Sequence, residues 1–232
     1  MSGPIEVAHR ESSVLRISVR TAAILLAFTL VFTALMAGTY KATEPMVAAS
    51  ALAEKLRLIG EVLPPGQYDN DLMADAITLP PVPALALDDE TRLWRARRNG
   101  VPVALVFEAA ARDGYSGRIG LILAVNANGR LLALRVTSHK ETPGLGDYID
   151  PKKDKNKALP WIAQFSNMGF DSVPPKKWRV KKDGGRFDQM SGATISARAV
   201  TNASGRALAW AMENRDKLFA LPPNSRFEEK EP

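Results

Sequence analysis

The chain has 232 residues, 46% of them hydrophobic, and a formal charge of +6. It contains no cysteine, which excludes thiolate-held iron–sulfur clusters, zinc ribbons, disulfides and thiol nucleophiles. Its only histidines are His9 and His139, so no histidine-rich metal site, and no metal, is expected.

Residues Thr21 to Thr39 carry no charge. As a helix they span about 28 Å at ~1.5 Å per residue, close to the hydrocarbon thickness of a bilayer. The rival reading is a cleaved signal peptide, but the run is longer than a usual signal core and no clean A-x-A site follows it. It is apolar all round, which suits lipid better than a soluble core. Arg10, Arg16 and Arg20 precede it and only Lys41 follows at once. The positive-inside rule therefore places residues 1–20 in the cytoplasm, residues 21–39 in the membrane and the rest across it, in a bacterium the periplasm.

Glu44 to Val62 reads as a second helix, with Met46, Leu52, Leu56 and Ile59 at helical spacing, stopped by Pro64-Pro65-Gly66. Tyr68 to Pro83 shows no period, so 40–90 is taken as a helix and connecting segment. Four strand signals follow. Thr91–Arg97 and Val101–Glu108 flank Asn99-Gly100, and Ile119–Val125 and Arg130–Thr137 flank Asn126 to Gly129, which predicts two hairpins. Ala158–Phe165 suits a short helix, Trp178–Val180 a strand, and Asp183-Gly184-Gly185 a turn. From Ile195 to Leu218 a long helix presents Ala197, Val200, Ser204, Leu208, Ala211 and Met212 on one stripe for docking on the sheet. From Pro222 the tail is polar and expected to lack order. The soluble part, 91–220 with a tail at 221–232, is predicted to be one α+β domain, an antiparallel sheet packed by helices. The basic clusters, Lys152-Lys153-Asp154-Lys155 and Lys176, Lys177, Arg179, Lys181 and Lys182, read as solvated faces, since no nucleic-acid motif accompanies them.

Three short stretches stand apart from this scaffold: Gly114-Tyr-Ser-Gly117, a tight turn between two strands, His139-Lys-Glu-Thr-Pro-Gly-Leu-Gly146, at the exit of the last strand, and Asp188-Gln-Met-Ser-Gly-Ala-Thr194. The last puts a hydroxyl at the start of a helix, where unpaired N–H groups and the dipole favour an anion. The plain alternative is an ordinary cap, with Ser191 as N-cap.

Together with Leu63-Pro-Pro-Gly-Gln-Tyr-Asp-Asn70 and the lead-in Gly184-Gly-Arg-Phe-Asp-Gln189, these motifs resemble one family over almost the whole chain. It is the FMN-binding domain family that includes the G subunit of the Rnf (Rsx) ion-translocating electron-transport complex and the C subunit of the sodium-translocating NADH:quinone reductase. Lys140 and the Gly-Gly-Arg-Phe-Asp-Gln lead-in favour the first. The resemblance implies FMN joined through its phosphate to the threonine of Asp-x-x-(Ser/Thr)-Gly-Ala-Thr, here Thr194, with Asp188, Ser191, Gly192 and Ala193 filling the other fixed positions. It also implies a flavin transferase that draws on FAD and recognises Asp188, the remaining subunits of a membrane complex as partners, and membrane lipid around the anchor. On this reading Arg198, four residues beyond Thr194, is expected to neutralise the phosphate. Gly144, Leu145 and Gly146 are expected to take the flavin ring, Glu141 and Thr142 to hydrogen-bond its heteroatoms, and Ser116 with Gly117 to line the same pocket. No acid, base or nucleophile for a separate substrate is evident, so an electron relay is expected. A membrane-bound regulatory FMN protein would usually add spans and cysteine clusters, both missing from the sequence. An unflavinated assembly module would not need the intact Asp188 to Thr194 pattern.

Overall fold

The computed structural model describes residues 4–228, with side chains from Leu15 onward. Residues 1–3 and 229–232, and the side chains of His9 and Arg10, lie outside the described residues. Internal contacts divide the chain into Met1–Glu54 and Lys55–Pro232.

Helix α1 (Pro4–Val62) is continuous, so the two helices expected at 21–39 and 44–62 are one. Pro45 lies inside it; a proline removes a single N–H from the ladder, and the helix carries on past it. In the first unit α1 is long and apolar enough to cross a membrane. Three of its threonine hydroxyls are satisfied within the helix: Thr21, Thr29 and Thr39 each donate to the carbonyl four residues back, at 2.9, 2.8 and 2.8 Å. Of the apolar residues read as one face beyond the span, only Ile59 is buried; Met46, Leu52 and Leu56 are exposed.

The second unit is a six-stranded antiparallel meander in chain order: β1 (Ala76–Leu79), β2 (Thr91–Arg98), β3 (Val101–Gly114), β4 (Gly117–Asn126), β5 (Arg130–Ser138) and β6 (Met168–Gly169). The two predicted turns are present, with positive φ at Asn99 (50°), Gly100 (76°) and Gly129 (77°). β3 runs six residues past its predicted end and meets β4 at the tight turn expected at Gly114 to Gly117. β1 and β6 were not predicted: both are short edge strands with no room for a period. Trp178–Val180 is not a strand; Val180 makes one isolated bridge to Phe187 between two short 3₁₀ turns. The helix expected at 158–165 is a 3₁₀ turn, Trp161–Phe165.

Both sheet faces are covered. Alternate residues of β3 point opposite ways, so Leu105, Phe107 and Ala109 join α2 (Thr194–Ala220), while Ala104 and Val106 join Trp94, Ile122, Ile59 and Val62. The docking stripe of α2 is rich in alanine: Ala197, Ala203, Ala207 and Ala211 are buried with Val200, Ser204 and Leu208. Met212, expected in that stripe, is 40% exposed and lies at its edge over the Gly129 turn.

The helix ends where β2 caps it. Arg95 is fully buried, pairs with Asp75, and donates from Nη1 to the carbonyls of Leu218 (2.9 Å) and Leu221 (2.5 Å). Arg97 adds a bond to the Phe219 carbonyl at 2.8 Å and a second contact to Asp75. These cations meet the negative end of the helix dipole. The tail read as disordered is ordered up to Phe227: Thr78 donates to the Ser225 carbonyl at 2.9 Å, Phe227 donates back to Thr78 at 2.9 Å, and the Phe227 ring is buried against Trp210.

Candidate functional site

The three motif stretches, far apart in sequence, meet at the start of α2. Glu141, 4% exposed, joins two of them to the helix. Its carboxylate accepts the Ser116 N–H at 3.0 Å, the Tyr115 N–H at 3.3 Å, and the hydroxyl of Ser196 in the first turn of α2. One buried side chain thus ties the β3–β4 turn, the 139–146 loop and the helix together. Glycine is required beside it, because a Cβ on Gly146 would lie 2.5 Å from Ser196 Oγ and 3.0 Å from Glu141 Oε2. Gly144 serves differently: its φ is +75° and nothing crowds its Cβ position. Its N–H donates to Asp147 Oδ1 at 2.9 Å, and the Thr142 carbonyl accepts from Leu145 and Gly146, which closes the loop.

Beside this knot is a cleft of about 220 Å³ lined by Tyr115, Thr142, Leu145, Gly192, Ile195 and Ser196, with Glu141, Gly146 and Ala193 completing it. Tyr115 (67% exposed), Leu145 (52%) and Ile195 (43%) offer apolar surface at its mouth. The Asp188–Ala193 loop forms one side. Its backbone is tied down while Asp188, Met190, Ser191 and Gly192 are exposed. The Tyr148 hydroxyl accepts from Met190 N–H (3.1 Å) and donates to the Ala193 carbonyl (3.2 Å). Trp161 Nε1 donates to the Asp188 carbonyl at 2.6 Å. Burial raises the Tyr148 phenol above its ordinary pKa, so it keeps its proton across the physiological range.

The helix begins at Thr194 itself, one residue earlier than the sequence suggests. Ala193 is its N-cap residue and no side-chain oxygen caps it, so Ser191 is not an N-cap. Thr194 is half-buried between two cleft-lining residues. Thr142, Leu145, Gly146, Gly192 and Ala193 line the cleft, and Gly144 shapes the loop. Three of the expected residues have partners within the protein. Glu141 is a buried structural acceptor whose hydrogen bonds are already internal. Ser116 gives its backbone to Glu141, and its neighbour Tyr115 lines the cleft instead. Arg198 is committed to Asp183 through two bonds at 2.6 and 2.8 Å, rather than left for a phosphate. Asp188 is exposed and pairs with Lys181 at 2.5 Å. Sequence reasoning missed Ser196, Tyr148 and Trp161; the one hint was Ser196 as a small polar residue on a helix face otherwise read as apolar.

A larger groove, about 580 Å³, lies elsewhere along α2, between Arg179 and Arg206 over Trp178. It holds none of the three motifs. Size alone does not select the site; the convergence of the three motifs around the smaller cleft does.

Residues 114–209 match the FMN-binding domain family, and residues 13–62 match the RnfG N-terminal region. Among curated relatives, the G subunit of the ion-translocating oxidoreductase complex of Shewanella loihica is 37% identical over 206 residues, 89% of this chain and 95% of that protein. The protein of the same name from Pseudomonas aeruginosa is 40% identical over 88% of this chain and 94% of its own length. That from Cronobacter sakazakii is 41% identical over 84% and 90%.

The chain belongs to the family of ion-translocating oxidoreductase complex G subunits. The FMN-binding match begins at the β3–β4 turn and ends within α2, so it encloses Glu141, the cleft and the 188–194 loop. The match to the N-terminal region falls within α1. The α+β architecture with an N-terminal apolar helix is the one the sequence predicts.

Proposed function

We propose that this chain is a membrane-anchored electron-relay subunit of an ion-translocating oxidoreductase complex, and that its FMN is bonded through phosphate to Thr194 Oγ. The observation that carries the reading is that Thr194 opens an uncapped helix beside the cleft where the three motifs meet. The relatives' name supports membership of the complex, and the matched domain supports FMN.

The residues fit such a group. The N–H groups at the start of α2 favour the single negative charge of a phosphodiester without help from Arg198. Gly192, at φ +84° with nothing within 4 Å of its Cβ position, leaves the approach open. Leu145, Tyr115 and Ile195 offer apolar contact to a flat ring, and Thr142 a polar one. At about 220 Å³ the cleft is below the roughly 300–1,000 Å³ of sites that enclose a whole ligand. That suits a tethered group whose ring enters while its phosphate stays at the helix end.

Installation is redox-neutral. Thr194 Oγ displaces AMP from FAD at the FMN phosphorus: the Oγ–P bond forms, the pyrophosphate P–O bond breaks, AMP leaves and the hydroxyl proton is released. A separate flavin transferase serves this step, with exposed Asp188 as part of what it reads. Bound FMN supplies one- and two-electron transfer, and the protein sets its position and surroundings. A covalent tether keeps a periplasmic carrier from losing its cofactor by dilution. The arginines before the span and the single lysine that follows it at once support the periplasmic orientation, with α1 crossing the inner membrane once amid lipid.

The test is co-expression of the chain with a flavin transferase, followed by denaturing electrophoresis and in-gel flavin fluorescence. The parent chain should fluoresce and Thr194→Val should not. A dark parent chain, or an equally bright variant, defeats the reading.

A further inference from the structure

We propose that Tyr148, backed by Trp161 and Gln164, is a positioning residue that holds the 188–193 loop in the shape in which Thr194 is modified. The inference rests on the attachment reading above and goes beyond it, because none of these three residues belongs to the attachment motif.

The loop could have many shapes. Four of its six residues are exposed, and Gly192 sits at φ +84°, a conformation that costs glycine little and anchors nothing by itself. Two clamps remove that freedom. At the entry, Asp188 N–H donates to Gln164 Oε1 at 2.7 Å, and the Asp188 carbonyl accepts from Trp161 Nε1 at 2.6 Å. At the exit, one oxygen does two jobs: Tyr148 accepts from Met190 N–H and donates to the Ala193 carbonyl, across the turn that Ala193 N–H closes on Met190. The Tyr148 ring is buried and meets Trp161 edge-on at 5.4 Å, so the clamps brace each other. The phenol stays protonated at neutral pH, which keeps the donated bond available. The result is a backbone fixed from behind with its motif side chains displayed outward, immediately ahead of Thr194. A modifying enzyme meets the motif already in one shape and does not spend binding energy ordering it.

Tyr148→Phe keeps the packed ring and removes both hydrogen bonds. With fewer chains in the competent shape, the KM for this chain as substrate of a purified flavin transferase, with FAD as donor, should rise on the order of tenfold while kcat holds, as expected when two ordinary hydrogen bonds are lost from a conformational pre-equilibrium. Hydrogen exchange of the Met190 amide in the unmodified full-length chain should accelerate with it. Gln164→Ala, at the other clamp, should raise KM without touching the buried ring, which guards against a folding effect in the first variant. A labelled parent chain with unchanged KM in both variants overturns the inference alone. An unlabelled parent chain removes the attachment reading and the inference together.

Discussion

Ser196, in the first turn of α2, donates its hydroxyl to the carboxylate of Glu141, which sits 55 residues earlier at the exit of the sheet. That bond fixes where the helix starts relative to the 139–146 loop, and so fixes the cleft. Removing Glu141 strands the Ser196 hydroxyl in the interior and frees the N–H groups of Tyr115 and Ser116. Glu141→Ala should cost about 2–3 kcal/mol in denaturant unfolding, with Glu141→Gln about 1 kcal/mol because it retains the shape and one acceptor oxygen. Equal losses would show that the acceptor role is not what holds the junction.

The two glycines of the loop should separate in the same assay. Gly146→Ala pushes a methyl into Ser196 and Glu141 and should cost about 2–3 kcal/mol. Gly144→Ala meets no atom and should cost only the strain of a positive φ, about 1 kcal/mol. Because the clash is with the Ser196 hydroxyl, Ser196→Ala should recover part of the Gly146→Ala loss, and a double-mutant cycle reads that coupling directly.

Much of this was legible in local sequence. Asn99-Gly100 and the Asn126–Gly129 turn announce their hairpins because each must supply positive φ. The alternation in β3 is hidden, since both faces are buried and every residue from Ala104 to Ala111 except Glu108 is apolar. β1 escaped notice because its second neighbour is the 225–227 tail, well over a hundred residues away. The site divides the same way. The motifs mark the Thr194 loop and the Gly144–Gly146 loop, while Tyr148 and Trp161 act across 42 and 27 residues and leave no local trace. Arg198 illustrates the limit of helical spacing: i+4 puts it on the face of Thr194, but a long side chain goes to the nearest carboxylate, Asp183.

That pair predicts a pH dependence. The hydrogen bonds and charge of Arg198 hold the Asp183 carboxyl below its ordinary value, with Lys182 and Arg179 adding to the effect. A depressed folded-state pKa stabilises at pH above the unfolded value of about 3.9 and is lost as pH falls through the folded one. Arg198→Gln should therefore melt slightly below the parent chain at pH 7, and the difference should shrink as the pH falls below the unfolded value toward the folded one. Flavin labelling of Arg198→Gln should stay close to the parent level at pH 7; loss of labelling would restore Arg198 to the phosphate.

Asp75 holds both cations that close the end of α2. Asp75→Asn leaves buried Arg95 without a counter-charge and should cost about 3 kcal/mol or more, among the largest effects of any single change distant from the cleft. Thermal melts check this; a change within about 0.5 kcal/mol, typical of a surface site, would mean that the helix carbonyls alone suffice for Arg95.

Mass mapping of chain made with an active flavin transferase tests the central claim most directly. Trypsin should release Phe187–Arg198, which carries the whole Asp188–Thr194 motif. That peptide should carry an FMN phosphoester, with fragment ions that assign it to Thr194 rather than Ser191 or Ser196, and the modification should be lost in Thr194→Val. An unmodified peptide from fluorescent protein, or flavin mapped to another residue, would contradict it.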